Sequence, residues 1–176
     1  KSRRSIRKYL QEQIEDDELE IILESAIYAP TGHNDQPWHF TVIQNKELID
    51  LMSAESKKVM ANLPVEWIAK MGKAEHLHIF YHAPTVVVVS GKEDATTPLP
   101  DCCAAIQNML LAAESIDIGS CWIGLARFFF ENPENIEKLS IPESYKPYYA
   151  VSLGYKASSN NVAPERNKNV VDYIKY

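Results

Sequence analysis

The 176-residue sequence has little cysteine, and its three thiols form no recognisable framework. Cys102 and Cys103 are adjacent and Cys121 is distant, so the spacing provides neither a set of disulfide pairs nor a C-x-x-C metal site. This pattern favours a reducing, cytoplasmic setting. Cys121 stands among apolar neighbours without an adjacent basic residue, which favours an inert buried thiol over a nucleophile.

The sequence also lacks a long hydrophobic run and a glycine-rich phosphate motif. Its longest apolar strand candidate, residues 84–89, is far shorter than the ~20 residues that a membrane span needs. Neither G-x-G-x-x-G nor G-x-x-x-x-G-K-[ST] occurs, so no dedicated Rossmann or P-loop nucleotide site is predicted. The formal net charge of -6 opposes binding to nucleic acids or anionic membranes, and any bound phosphate must be met by local cations.

With 45% hydrophobic residues, the chain can bury one sizeable core, so residues 1–176 are expected to form a single domain. Apolar spacing predicts helices over residues 16–28, 46–60, 64–78, 101–116 and 132–139, and strands over residues 39–44, 85–90, 120–123 and 148–153. We expect Asp16 or Asp17 to cap the first helix, Gly119 to end the fourth, and Asn132 to cap the last. The fold class is therefore α+β, with about four core strands and helices on both sides.

Two segments carry conspicuous apolar surface. The 101–116 helix is apolar around nearly its whole circumference, so it is buried either in a core or between subunits. The tail over residues 156–176 has no strong period, yet it ends in Val170, Val171, Tyr173, Ile174 and Tyr176. Wrapping around a partner subunit would bury these side chains, whereas a frayed terminus would leave them exposed.

Basic residues are concentrated at the N-terminus. Arg3, Arg4 and Arg7 lie within five residues, and Ser5 adds a hydroxyl between them. Guanidinium groups bind phosphate oxygens bidentately and keep their charge at physiological pH, so this cluster is able to fix a phosphate. Considered alone, such a segment is more typical of a solvated surface.

Residues 30–38 form a polar loop with many hydrogen-bonding groups. Thr31 and Asn34 offer polar side chains, Gly32 allows close approach of the backbone, and Gln36 presents an amide. Considered alone, the loop is an ordinary connection between a helix and a strand.

Histidines suggest a metal site only superficially. His76, His78 and His82 lie near Glu75, but their spacing does not reproduce His-Glu-x-x-His, and no convincing further ligand follows. We therefore predict surface imidazoles and no metal.

Four motifs resemble, in the same order, those of the nitroreductase family, a group of homodimeric flavin oxidoreductases. They are Arg3-Arg4-Ser5-Ile6-Arg7, Ala29-Pro30-Thr31-Gly32-His33-Asn34-Asp35-Gln36-Pro37-Trp38, the apolar run 104–113, and Gly119-Ser120-Cys121-Trp122-Ile123-Gly124. In the second motif Thr31 and Gly32 stand where the family often has two serines. The resemblance implies a sandwich with a central, mainly antiparallel sheet, helices on both sides and a swapped C-terminal arm.

The resemblance further implies an FMN site shared by two chains. Arg3, Ser5 and Arg7 would hold the phosphate and the flavin pyrimidine edge, with Arg4 as a helper. The tail would add Arg166, with Lys168 as a weaker candidate. The loop would reach flavin bound mainly by the other subunit, through Pro30, Thr31, Gly32, Asn34 and Gln36. The flavin ring would lie beside Ile123, Gly124 and Leu125.

The implied reaction is ping-pong: NADH or NADPH reduces FMN and departs, and a nitroaromatic, quinone or similar small acceptor then takes the electrons. Residues 64–82 are expected to line the substrate channel, and no catalytic acid or base is assigned. Two alternatives stay open. One is a specialised branch reaction, such as flavin breakdown or reductive dehalogenation. The other is a flavin-binding or electron-exchange module without nicotinamide turnover.

Overall fold

A computed structural model describes residues 1–158 and 162–175. Its helices and strands are α1 (Asp16–Ile27), β1 (Trp38–Ile43), α2 (Lys46–Met60), α3 (Glu66–Lys73), β2 (Thr85–Lys92), α4 (Pro98–Ser115), β3 (Ile118–Ile123), α5 (Pro133–Glu137) and β4 (Tyr145–Tyr155). Two short 3₁₀ turns, Gly32–Asn34 and Gly124–Phe128, lie beside predicted site residues. No helix within these described ranges is both long and apolar enough to cross a membrane.

The four strands form one sheet in the order β1-β2-β4-β3, and every neighbouring pair is antiparallel. β2 and β4 are the two inner strands, and the first seven residues of β2 are buried. Its run of valines is the pattern of a strand covered on both faces. Thus β1 and β3 are opposite edges of the sheet.

Alternate side chains of β2 enter two different cores because successive residues of a strand face opposite sides. Val86 and Val88 pack on the side of α2 and α3. Val87 and Val89 pack on the side of α1 and α4. The predicted α+β sandwich with helices on both sides is therefore confirmed.

Two local predictions differ from the structure. The N-cap of α1 is Glu15, not Asp16 or Asp17, because Glu15 and Glu18 form a reciprocal capping box. Gly119 does not end α4; the helix ends before Ile116, and Asp117 makes the turn with a φ of 63°. Gly119 instead belongs to β3.

α4 buries one side and exposes part of the other. Its inner face includes Ile106 and Met109 in the core, whereas Leu111 is exposed. In the tail, Val170, Val171, Tyr173 and Ile174 are exposed, and Tyr176 lies outside the described residues. Apolar surface is therefore left uncovered in the single chain.

Candidate functional site

The basic N-terminal segment lies along the edge strand β3. The backbone N–H of Ile6 donates to the carbonyl oxygen of Ser120 at 2.9 Å, and Ser5 pairs with Ser120 as an isolated parallel bridge. Ile6 and Tyr9 are buried, which fixes the segment to the protein. The arginines on either side are thereby held next to β3.

Two of the arginine side chains of this segment form hydrogen bonds to neutral groups. Arg7 Nε donates to the Tyr81 hydroxyl at 3.2 Å, and Arg4 Nη1 donates to the carbonyl oxygens of Lys1 and Arg3 at 2.8 and 2.6 Å. Among the described residues, none of Arg3, Arg4 and Arg7 forms a salt bridge to a carboxylate. Such a group of like charges is suited to binding an anion.

Cys121 lies next to these arginines in β3. Burial raises the pKa of the Cys121 thiol, and Arg7, Ser5 and Arg3 offset only part of that rise. The thiol is therefore protonated near neutral pH and unsuited to act as a nucleophile. This agrees with the inert thiol expected from the sequence.

β3 leads directly into an open cleft. Gly124 follows its last residue, and a Cβ atom at Gly124 would meet nothing within 4 Å. The cleft has a volume of about 960 Å³, and its walls include Leu125 and two residues of the predicted 64–82 lining segment, Trp67 and Ile68. A planar ligand is thus able to approach the backbone at Gly124 without a side chain intervening.

The arginine cluster and the cleft lie along the same strand. Cys121, beside the arginines, is three residues from Gly124, or about 10 Å along an extended strand. The arginines and the cleft are thus neighbours along β3, but none of Arg3, Arg4 and Arg7 is among the described residues that line the cleft. Arg7 instead borders a separate hollow beside Tyr81.

The polar loop lies at the opposite edge of the sheet. It immediately precedes β1, which three strand spacings, about 14 Å, separate from β3. The side chains of Asn34 and Gln36 are exposed, and Gln36 Nε2 donates to Asn34 Oδ1 at 3.1 Å. Within one protomer, the structure does not bring this loop to the arginine cluster.

The hydroxyl of Thr31 is used inside its own protomer. It donates to Asp101 Oδ2 at 2.7 Å and accepts from the backbone N–H of Gln36 at 3.0 Å. Sequence reasoning missed Asp101, since nothing in its spacing shows that the start of α4 would meet this loop. The sequence shows only that Asp101 is an acidic residue in the first turn of an apolar helix.

The two phosphate-binding candidates in the C-terminal tail make no polar contacts with the rest of the described chain. Arg166 and Lys168 are exposed, and neither forms a hydrogen bond or salt bridge with the rest of the described chain. Their predicted roles at the phosphate therefore require a position that one protomer alone does not provide.

His78 and His82 lie beside Asp50, which is distant from them in sequence. Ligand atoms of Asp50, His78 and His82 lie within 4.8 Å of one another. His78 Nδ1 accepts from the backbone N–H of His82 at 3.2 Å, and its Nε2 lies 3.2 Å from Asp50 Oδ1. Because Nδ1 is an acceptor, the proton of neutral His78 is on Nε2 and faces Asp50. The contact between Nε2 and Asp50 is close but lacks hydrogen-bond geometry. With only 9% of its side chain exposed, His78 is not the surface imidazole that the sequence predicts.

Comparison with known proteins places these features in one family. The model of the Nitroreductase family matches residues 1–155. A protein of Archaeoglobus fulgidus, provisionally named NADH dehydrogenase/NAD(P)H nitroreductase, is 35% identical over 162 residues, which are 88% of this chain and 81% of the relative.

Solved structures agree in fold over nearly the whole chain. A nitroreductase of Bacteroides fragilis with bound FMN has a TM-score of 0.88 and 34% identity, covering 99% of this chain and 95% of that one. A nitroreductase of Desulfitobacterium hafniense, also with bound FMN, has a TM-score of 0.87 and 30% identity, covering 98% and 94%.

Proposed function

This chain belongs to the nitroreductase family, and from that premise we propose that it transfers electrons from NADH or NADPH to a small organic acceptor. It is an FMN-dependent oxidoreductase. The observation that carries the proposal is that the arginine segment pairs with β3 and that the open backbone position Gly124 directly follows this strand.

The residues present fit FMN. The arginine cluster meets the phosphate with charge that no described carboxylate neutralises. Gly124 leaves the space that an aromatic ring needs against the backbone. The cleft of about 960 Å³ is at the upper end of the usual size range of ligand sites.

Each group has a distinct role. Arg3 and Arg7 bind the phosphate with the Ser5 hydroxyl, and Arg4 adds positive charge. The backbone at Gly124 and Leu125 lies beside the ring, where amide groups orient it and adjust its electronics. FMN supplies the redox chemistry, and the protein supplies position and exclusion of water.

A homodimer completes the site. The loop residues Asn34 and Gln36 are exposed at the edge of the sheet opposite the arginines, so a second protomer is the natural source of the loop at each flavin. Uncovered apolar surface supports this assembly. A groove of about 910 Å³ between α1 and β1 is lined by residues that include Leu23, Ile27 and Trp38.

The exposed tails support the same arrangement. Val170, Val171 and Ile174 gain burial only by packing on another surface. As a swapped arm, the tail would carry Arg166 toward the phosphate of the shared site, with Lys168 nearby.

The lining of the cleft suits planar oxidants. Trp67, Phe130 and Tyr145 offer aromatic surface, and the positive charges of Arg127 and Lys146 are balanced by Glu93 and Glu131. Nitroaromatic compounds and quinones combine a flat, electron-poor ring with oxygens that carry partial negative charge, and an aromatic lining accommodates such a ring. Donor and acceptor would use the same cleft in turn, which is a ping-pong order.

The three cysteines are free thiols in the structure. Free thiols are the usual state in a reducing compartment, which supports a cytoplasmic location for this activity.

Anaerobic reduction tests the function. Purified holoprotein is mixed with NADH or with NADPH in the absence of oxygen, and the visible flavin band is followed. We expect at least one donor to bleach the band, and a quinone or nitroaromatic added afterwards to restore it.

Two outcomes would contradict the proposal. A yellow protein that neither donor bleaches, but that dithionite does, would be a flavin-binding module without nicotinamide turnover. A protein that is colourless and binds no added FMN would remove the cofactor assignment itself.

A further inference from the structure

Asp101 is a buried carboxylate without a cationic partner among the described residues. It lies in the first turn of α4 with 5% exposure. Its Oδ2 accepts from the Thr31 hydroxyl at 2.7 Å and from the backbone N–H of Gly32 at 3.2 Å, and its Oδ1 accepts from the Thr97 hydroxyl at 2.9 Å. A buried carboxylate is costly unless it is hydrogen-bonded, and two of these three donors belong to the polar loop.

The carboxylate also sets the direction of the next hydrogen bond. Because a carboxylate only accepts, the single hydroxyl proton of Thr31 is committed to Asp101. The lone pairs of Thr31 Oγ1 are then available as acceptors, and the backbone N–H of Gln36 donates to Thr31 Oγ1 at 3.0 Å. Asp101, Thr31 and Gln36 therefore form a relay from α4 to the exposed end of the loop.

The loop backbone needs such support. His33, Asn34 and Gln36 have φ values of 51°, 60° and 45°, in the left-handed region that non-glycine residues disfavour. Such conformations persist only where surrounding contacts determine them. Gly32 adds a close approach, since a Cβ atom there would lie 2.4 Å from Thr97 Oγ1.

We infer that Asp101 is a positioning residue for flavin binding, acting through Thr31 to present Asn34 and Gln36 to the FMN held by the second protomer. The inference rests on the proposed function, because the ligand of the loop is the shared flavin. It also reassigns Thr31 from direct contact with the cofactor to support of the loop.

FMN titration of the apoprotein tests this role. The dissociation constant is measured by quenching of flavin fluorescence for wild type, Asp101→Ala, Thr31→Val, the double variant, and Thr31→Ser. We expect each of the first two variants to bind about tenfold more weakly, as loss of a hydrogen bond to a charged group predicts. Thr31→Ser keeps the hydroxyl and should bind within about threefold of wild type.

The double variant separates a relay from two independent effects. If the residues act in series, the double variant binds no more weakly than the weaker of the two single variants. Ser115→Ala is the control: it removes a hydroxyl from the other end of α4, where Ser115 Oγ donates to the carbonyl oxygen of Ala112 and not to the loop. It should keep the wild-type dissociation constant.

Several results would overturn the inference. They are wild-type affinity in both Asp101→Ala and Thr31→Val, failure of Thr31→Ser to retain affinity, or losses that multiply in the double variant. If Asp101→Ala does not fold, as judged by circular dichroism, the inference is tested by comparing the FMN dissociation constants of Thr31→Val and Thr31→Ser. Failure of the wild-type apoprotein to bind FMN would instead refute the proposed function, and the two failures are thus distinguishable.

Discussion

At the scale of single residues, His78 is an imidazole held neutral by its surroundings. Burial is the main cause that lowers its pKa to about 4, and His82 and Lys46 act in the same direction, while Asp50 opposes them. The ordinary pKa is 6.5, so the unfolded chain takes up a proton at a pH where the folded chain does not. Acid should therefore weaken the fold through this residue.

The pH dependence of stability tests this directly. As pH falls from 6.5 to about 4, the free energy of unfolding of the apoprotein should decrease, because the unfolded state binds more protons. His78→Gln should show a smaller decrease in urea unfolding measured at pH 7.5 and pH 4.5. His76→Gln is the matched control, since His76 is exposed on the same turn, and it should follow wild type. An equal decrease in His78→Gln and wild type would be inconsistent with a buried neutral His78.

At the scale of elements, two glycines serve opposite purposes. A Cβ atom at Gly72 of α3 would lie 2.4 Å from the backbone nitrogen of Ala61 and 2.8 Å from the carbonyl oxygen of Lys57. The junction of α2 and α3 thus depends on the missing side chain. At Gly124 the same atom would meet open space, because that position faces the cleft.

Alanine substitutions separate these roles. Gly72→Ala should destabilise the apoprotein by about 1–3 kcal/mol, the usual cost of overpacking, although alanine normally stabilises a helix relative to glycine. Gly124→Ala should change the free energy of unfolding by less than about 0.5 kcal/mol. Chemical denaturation measures both values. Equal stabilities of the two variants would contradict the close packing of α2 on α3.

The elements that sequence predicted well are those with local determinants. α2 has the predicted bounds because Asn45 caps it, its side chain accepting from the N–H of Leu48 at 2.8 Å. Asn132 caps α5 in the same way. The role of Asp101 could not be predicted, because it depends on contacts between residues about 70 positions apart in sequence. The 3₁₀ turn that begins at Gly124 was not predicted, because its five residues carry no periodic pattern.

At the scale of the whole molecule, one protomer carries two halves of a site that do not meet. The arginine cluster lies on β3, and the polar loop precedes β1 at the opposite edge. The family pattern of the sequence predicts both halves, but only the folded chain shows that they are separated. The central claim is therefore that each flavin site takes its arginines from one protomer and its loop from the other.

Subunit complementation tests this claim most directly. One protomer carries Arg3→Ala and Arg7→Ala, its partner carries Asn34→Ala and Gln36→Ala, and differently tagged chains allow purification of the mixed dimer. A shared arrangement concentrates all the defects in one site and leaves the other intact. The mixed dimer should retain about half the FMN of wild type, while both parent homodimers retain little. FMN content of the mixed dimer no higher than that of its parents would show that each site is complete within one chain, and would contradict the account.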